Sequence, residues 1–323
     1  NNTAVGRNSL IANTTGARQT AVGSLALDAI TTGSDSTAFG YNALGAHTGA
    51  AATAVGSEAM ASNTTGAQNS GFGYGTLTAN TTGGYNTAIG YDSLKANTTG
   101  AKNVALGGST LDANTTGGDN TAIGYNALSA NTTASYNIAV GSGALAANTT
   151  GDWNVGIGTD SFDANTTGSN SVAVGGRSLS ANTTGTSNTA FGYAALRNNT
   201  TADNNTAIGK DCMSANTTGA ENVAVGSACL DSNTTASYNT GVGYNVLEAT
   251  TTGGSNTAMG RYAMAANTTG NNNVAIGQAA LDANTTATNN VAVGVSALGA
   301  NTTGANNTAL GKAALYTNTT ADN

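Results

Sequence analysis

Residues 121–137 read TAIGYNALSANTTASYN, and this 17-residue pattern recurs along the whole chain. Aligning on the Gly of Thr-Ala-Ile/Val-Gly places equivalent residues 17 apart from Gly6 to Gly311, with one spacing of 16 between Gly40 and Gly56. A fixed short period of this kind is typical of solenoid arrays. We therefore interpret residues 1–323 as a single repeat array and expect it to be a fragment of a longer fibre. The nineteen units begin at Thr3, Thr20, Thr37, Thr53, Ser70 and Thr87, and then every 17 residues to Thr308.

The composition excludes several classes of protein. Only 8% of the 323 residues are charged, the formal net charge is −7, and the nine basic residues are scattered. Nucleic acids and anionic membranes attract clustered Lys and Arg, so neither is an expected partner. No apolar run approaches the length that spans a bilayer, so we expect no membrane insertion by this segment.

The repeat itself predicts β structure. Position 1 of a unit is Thr, Val, Ile or Ser, position 2 is Ala or Gly, position 3 is apolar and position 4 is Gly. Position 8 is Leu, Met or Phe, positions 10–14 mostly read Ala-Asn-Thr-Thr-Gly, and Asn usually closes the unit at position 17. Repeated Gly and β-branched residues disfavour a helix. The pattern predicts two strands a unit, at positions 1–4 and 7–10, in a parallel β-solenoid whose coils lie about 4.8 Å apart.

Alternation along the strands predicts which residues face inward. Position 8 and Ala at position 10 share one face, and the variable position 9 points to solvent. The first strand is apolar on both faces, which is typical of a strand buried on both sides. We expect Leu and Ile/Val in a shared interior and the Ala/Gly face packed against other chains, preferably in a trimer. The alternative is a single solenoid whose Ala/Gly face is exposed.

The core segments Thr121–Leu128 and Val223–Leu230 resemble the head repeats of trimeric autotransporter adhesins, and repeats in tail-fibre proteins of bacteriophages and environmental bacteria. The adhesin repeat is shorter, and here an Ala-Asn-Thr-Thr-Gly loop lengthens each unit. The resemblance implies a left-handed parallel β-roll, a homotrimer, a role in attachment or as a fibre shaft, and no catalytic residues.

Asn-Thr-Thr occurs in sixteen units, and each copy is an N-glycosylation acceptor motif on a predicted bend. The alternative is that Asn and Thr stack on their equivalents one coil away and form hydrogen-bonded ladders. Ile30, His47 and Thr250 interrupt the series. The candidate glycosylation sites are Asn13, Asn63, Asn80, Asn97, Asn114, Asn131, Asn148, Asn165, Asn182, Asn199, Asn216, Asn233, Asn267, Asn284, Asn301 and Asn318.

The remaining chemical groups are few. Cys212 and Cys229 occupy position 7 of consecutive units, within reach of a disulfide, although two buried thiols are the favoured interpretation. His47 is the only histidine, which excludes a histidine triad or cluster within one chain, and we expect it to serve a local turn adjustment. Carboxylates at position 9 are expected in solvent: Asp28, Asp112, Asp163, Asp231, Glu248 and Asp282.

Tyrosines recur at position 5 and before the closing Asn, where Trp153 also lies, and these rings either cover the core edge or hold sugars by stacking. The sequence therefore predicts a non-enzymatic structural shaft of an extracellular, cell-surface or virion-surface fibre, without catalytic residues, metal or cofactor. One alternative is a glycan-binding adhesive module that uses the Asn-Thr-Thr/Tyr loops. A less favoured one is an ice-binding solenoid.

Overall fold

The computed structural model describes residues 1–322, which contain nineteen three-residue strands and no helix. Each strand occupies positions 1–3 of one repeat unit. The strands are β1 (Thr3–Val5), β2 (Thr20–Val22), β3 (Thr37–Phe39), β4 (Thr53–Val55), β5 (Ser70–Phe72), β6 (Thr87–Ile89), β7 (Val104–Leu106), β8 (Thr121–Ile123), β9 (Ile138–Val140), β10 (Val155–Ile157), β11 (Val172–Val174), β12 (Thr189–Phe191), β13 (Thr206–Ile208), β14 (Val223–Val225), β15 (Thr240–Val242), β16 (Thr257–Met259), β17 (Val274–Ile276), β18 (Val291–Val293) and β19 (Thr308–Leu310).

Each repeat unit is one coil of a parallel β-solenoid, as the period predicted. The chain forms two compact units, Asn1–Asp160 with Ala164–Thr167, and Ser161–Asp163 with Gly168–Asn323. In the first, β1 to β10 pair in chain order, and in the second β11 to β19 do so, always in parallel. Residues at the same repeat position are partners, as in Thr121 with Ile138. We number the coils in chain order, with coil 1 starting at Thr3.

The predicted second strand at positions 7–10 is wrong. Residues at positions 6 and 8 have left-handed backbone conformations, with φ of 54° at both Asn126 and Leu128 in coil 8. Such a residue turns the chain out of the extended pleat, so this side of the coil is a series of turns. It still bonds to the neighbouring coil, because the Leu128 amide donates to the Ala144 carbonyl at 2.9 Å.

The Gly at position 4 is required by both conformation and space. Gly124 has a φ of 130°, which L residues with a side chain rarely adopt. A Cβ atom there would lie 2.6 Å from the carbonyl oxygen of Gly141 in the next coil. Gly therefore lets successive coils approach closely just after each strand.

The predicted orientation of the strand is also wrong. From coil 2 onward the small residue at position 2 is buried, whereas the Val, Ile, Leu, Met or Phe at position 3 is partly or largely exposed. The interior holds position 2, the small residue at position 7 and the large apolar residue at position 8. A Cβ on Gly241, at position 2, would lie 2.6 Å from Cys229 Sγ and 3.7 Å from Leu230 Cδ1. Because positions 7 and 8 fill the coil so closely, only Ala or Gly fits beneath the strand, and the larger residue points outward.

Candidate functional site

The most regular polar feature of the molecule is a ladder of buried asparagines at position 11. Asn97 Nδ2 donates to Asn80 Oδ1 of the preceding coil at 2.8 Å and to the Gly100 carbonyl of its own coil at 2.9 Å. The same pair of bonds recurs from coil to coil, as at Asn114. The ladder has a direction, since each amide donates to the preceding coil and accepts from the following one.

This ladder contains the candidate glycosylation sites. The fourteen from Asn63 to Asn301 are fully buried, and Asn13 and Asn318 are half-buried. The hydrogen bonds between equivalent Asn side chains that the ladder interpretation predicted are therefore present. A glycan would be joined to Nδ2, whose two hydrogens are both used inside the coil, so attachment requires an open coil. Glycosylation itself stays a prediction.

The following Thr pair forms the corner of each coil. Thr98 Oγ1 and the amides of Thr98, Thr99 and Gly100 all donate to the Thr115 carbonyl of the next coil, at 2.9 to 3.4 Å. The hydroxyl of the first Thr is thus bonded to the main chain, and the second Thr lies at the exposed corner.

A second asparagine ladder occupies position 17, and the sequence analysis did not identify it as part of the core. Asn103 Nδ2 donates to the Gly117 carbonyl at 2.9 Å, and the Asn103 amide donates to Asn86 Oδ1 at 2.9 Å. Asn69 to Asn154 are fully buried in coils 4–9. The available signal was the near-invariance of Asn at this position among otherwise variable neighbours.

Three residues interrupt the position 11 ladder. Ile30 has no polar side-chain atom, and Asn13 Oδ1 in the preceding coil is buried without a partner. Thr250 Oγ1 accepts from Asn267 Nδ2 at 3.3 Å, but Asn233 Oδ1 is left without a partner. His47 is the third substitution, so it is an interior ladder residue and not only part of an adjusted turn.

The thiols of Cys212 and Cys229 are free and fully buried. Cys212 Sγ contacts the Ala224 carbonyl oxygen at 3.3 Å. Contact with Cys229, together with burial, raises the pKa of the Cys212 thiol. The Cys212 thiol is therefore protonated, and burial shields both thiols from reagents while the coils are closed.

The position 9 carboxylates form no shared site. Burial is the main cause that raises the pKa of Asp112 and of Asp282, which are half-buried, and Ser214 Oγ donates to Asp231. Lys95 Nζ pairs with Asp92 at 2.8 Å. Among residues 1–322, no group of three His, Cys, Asp or Glu side chains is placed to hold a metal ion.

The aromatic side chains lie at the surface, largely in two rows along the coils. Tyr74 and Tyr91, at position 5, stack with ring centroids 5.6 Å apart. Tyr136 and Trp153, at position 16, stack at 4.1 Å with an interplanar angle of 9°. Their exposed fractions are 45% and 57%, so the rings do not cover the core. In each stacked pair, the facing sides of the two rings contact each other. Only the ring edges and the outer side of each ring are left for other contacts.

The outward face of the strands is a row of exposed apolar side chains. Position 3 residues such as Phe39 and Ile89 are 55% and 39% exposed. The tyrosines at position 5, directly after the invariant Gly, are exposed as well. No Asp or Glu occurs at positions 1–5 of any coil, so all sixteen carboxylates lie elsewhere. We call positions 1, 3 and 5 together the outward sheet face.

These observations define the chain as a parallel β-solenoid of tandem 17-residue repeats with asparagine ladders in its interior. No protein-family model matches the chain, and no curated protein matches it. The part of the chain that the structure describes, residues 1–322, has no helix of the length and hydrophobicity needed to cross a bilayer.

Proposed function

We propose that this protein is a non-enzymatic structural shaft of an extracellular, cell-surface or virion-surface fibre that supports attachment. The observation that carries the proposal is the strict register of the coils, in which each strand pairs in parallel with the residues at the same repeat positions of the next coil. Repeated coil-to-coil bonding resists bending and shear, which is the mechanical property that a shaft needs. The resemblance to adhesin-head and tail-fibre repeats supports the same role.

We further propose that the shaft is a homotrimer of left-handed coils, joined through the outward sheet face. An apolar surface of this extent on a soluble protein is typical of an interaction site. The absence of carboxylates from positions 1–5 removes repulsion between carboxylates of facing chains, and the only charged side chains of this face are Arg7, Lys210, Arg261 and Lys312 at position 5. The trimer count and the handedness rest on the resemblance.

Electron microscopy combined with light scattering tests the proposal. We expect straight filaments and a mass three times the 31.2 kDa of one chain. A mass equal to that of one chain at all concentrations would contradict the proposed trimer. Flexible or compact particles would contradict the proposed shaft.

A glycan-binding role is the second candidate, because the exposed rings of Tyr136 and Trp153 lie beside polar coil corners. Sugars bind proteins by stacking on aromatic faces. A glycan array probed with this chain alone distinguishes the two roles, since a passive shaft gives no saturable signal. Trp153→Ser should weaken glycan binding if the Tyr136–Trp153 stack is the binding site. Tyr238→Ser, in the second unit, tests whether other rings at position 16 bind as well.

A further inference from the structure

The corner between coils 2 and 3 differs from its neighbours in main-chain bonding. In coil 1, the amides of Thr14, Thr15 and Gly16 all donate to the Thr31 carbonyl, at 2.9 to 3.3 Å. The corners of coils 3, 4, 5 and 6 each send at least two such bonds to the next coil. The corner amides of coil 2, at residues 31–33, make none to coil 3, although all these residues are described.

The cause is the single missing residue of coil 3. That coil has 16 residues and lacks position 13, so Thr48 is followed directly by Gly49. Its corner is one residue short and does not present a carbonyl to coil 2 in the usual place. The strand side of the same interface is intact, since the Gly40 amide donates to the Val22 carbonyl at 2.8 Å.

The position 11 ladder is also interrupted at this place, and the position 17 row keeps one longer bond, from the Ala52 amide to Ser36 Oγ at 3.4 Å. Coil 2 has Ile30 and Ser36 at positions 11 and 17, and coil 3 has His47 and Ala52. No side-chain bond therefore joins Ile30 to His47 through the ladder. The weak main-chain corner and the absent ladder bond coincide.

His47 adds a proton-dependent group on the other side of coil 3, where it contacts Asn63 of coil 4. Its imidazole is fully buried, and Nδ1 lies 2.9 Å from Asn63 Nδ2, which also donates to the Gly66 carbonyl at 2.8 Å. Nδ1 must therefore accept, and the neutral ring carries its hydrogen on Nε2, which is buried without a partner.

Protonation of His47 would add a hydrogen to Nδ1, which would then face the hydrogens of Asn63 Nδ2, so that two donors would oppose each other. Turning the Asn63 amide over would not relieve this, because Asn63 Oδ1 accepts from Asn80 Nδ2 at 2.7 Å, and the reversal would have to continue along the ladder. The residues at the same repeat position in the adjoining coils, Ile30 and Asn63, carry no charge. The carboxylates of coils 2–4, at Asp28, Asp35 and Glu58, lie at the surface positions 9, 16 and 6.

We propose that the short coil 3 is an acid-sensitive joint: its corner opens from coil 2 more often than the neighbouring corners open, and it separates from coil 4 when His47 is protonated. This inference is independent of the proposed function. It makes one place in the array respond to acid while the adjoining coils stay closed.

The pH window follows from the environment of the ring. Burial lowers the pKa of His47 from 6.5 to about 4. The closed state disfavours protonation of His47. Its stability is therefore greatest above pH 6.5 and decreases as the pH falls towards 4. If the opened histidine has its ordinary pKa, the opening equilibrium increases about 100-fold between pH 7.5 and pH 4.

Hydrogen exchange with mass spectrometry tests the joint. Corrected for intrinsic rates, peptides covering residues 30–49 should be less protected at pH 7.5 than the equivalent peptides of coils 5 and 6, at residues 80–100. They should lose about another 100-fold of protection at pH 4. Equal protection of the two corners, or a parallel loss in both, would overturn the proposal.

Two variants separate the histidine from the short corner. His47→Asn restores a ladder side chain and should abolish the pH step while leaving the weak corner. Thr250→Asn repairs a ladder break elsewhere and should change nothing at residues 30–49. A pH step that persists in H47N contradicts the assignment. Since the chain has one histidine, its single imidazole Cε1 resonance gives a second readout in the wild type, and titration near 6.5 would refute the joint even if H47N does not fold.

Discussion

Asn80 Nδ2 donates to Asn63 Oδ1 at 2.7 Å across the boundary between two coils, and this single bond type connects most coils of the array. Buried amides are stable only when their donors and acceptors are satisfied. Here the partner of each Asn is another Asn at the same repeat position. A shift by one residue would leave whole rows unpaired, so the ladders specify register as well as stability.

Breaking one ladder step should therefore be costly. Asn114→Ala removes three bonds, two that Asn114 donates to Asn97 and Gly117 and one that it accepts from Asn131. We expect a loss of about 3 kcal/mol in the free energy of unfolding. Denaturant titration measures it. The control is Asn198→Ala, at position 10, where Ala is usual, which should change stability by less than about 0.5 kcal/mol. Similar effects of the two substitutions would argue against the ladder.

The left-handed residues of the turn side give a second prediction. Ala279 has a φ of 51°, a conformation unfavourable for Ala and neutral for Gly. Ala279→Gly should raise stability by about 0.5 to 1 kcal/mol. Ala265→Gly, at position 9 of the preceding coil, should lower stability by a similar amount because its φ is not positive. Thermal melts of the pair check this, and a loss in both variants would contradict the turn geometry.

The proposed interface can be tested by a charge on the outward sheet face. Ile123→Asp should dissociate the assembly without unfolding the coil, since the side chain points away from the interior. Ser129→Asp, at position 9 of the same coil, should leave the mass unchanged. Light scattering gives the mass and circular dichroism the fold. An unchanged oligomer in I123D would exclude this face as the contact.

The buried acceptor nitrogens lead to a prediction about glycans. Secreted, folded protein should carry no sugar on the fourteen Asn from Asn63 to Asn301, because a glycan on Nδ2 would keep the coil from closing. Intact mass and peptide mapping after expression in a glycosylating host measure this. Isolated Asn-Thr-Thr peptides are the positive control for the enzyme. Glycans on these positions in folded protein would require the ladders to be rearranged.

The thiols should be unreactive in the folded chain. Cys212 and Cys229 are buried, and the pKa of Cys212 is raised, so a disulfide-exchange reagent should label neither until denaturant opens the coils. A Ser142→Cys variant supplies an exposed thiol at position 5 and should react at once. Rapid labelling of the native cysteines would show that coils 13 and 14 open readily.

The fixed spacing of 17 was sufficient to predict a parallel solenoid, the coil boundaries and the equivalence of residues one repeat apart. This follows because a chain that repeats its hydrogen-bonding groups at constant spacing satisfies them best by stacking equivalent residues. The need for Gly at position 4 was visible as invariance, although its cause, the approach of the next coil, was not. The Asn-Thr-Thr series was compatible with both sugars and ladders.

Which side of the strand lies inside was decided only by tertiary structure. A three-residue strand that is apolar on both faces contains too little alternation to distinguish inside from outside. The choice depends on Leu128 and its equivalents, whose left-handed backbone brings a large side chain across the coil and leaves room only for Ala or Gly beneath the strand. The burial of Asn103 and its row likewise depends on carbonyls supplied by the adjoining coil, a contact that no single repeat contains.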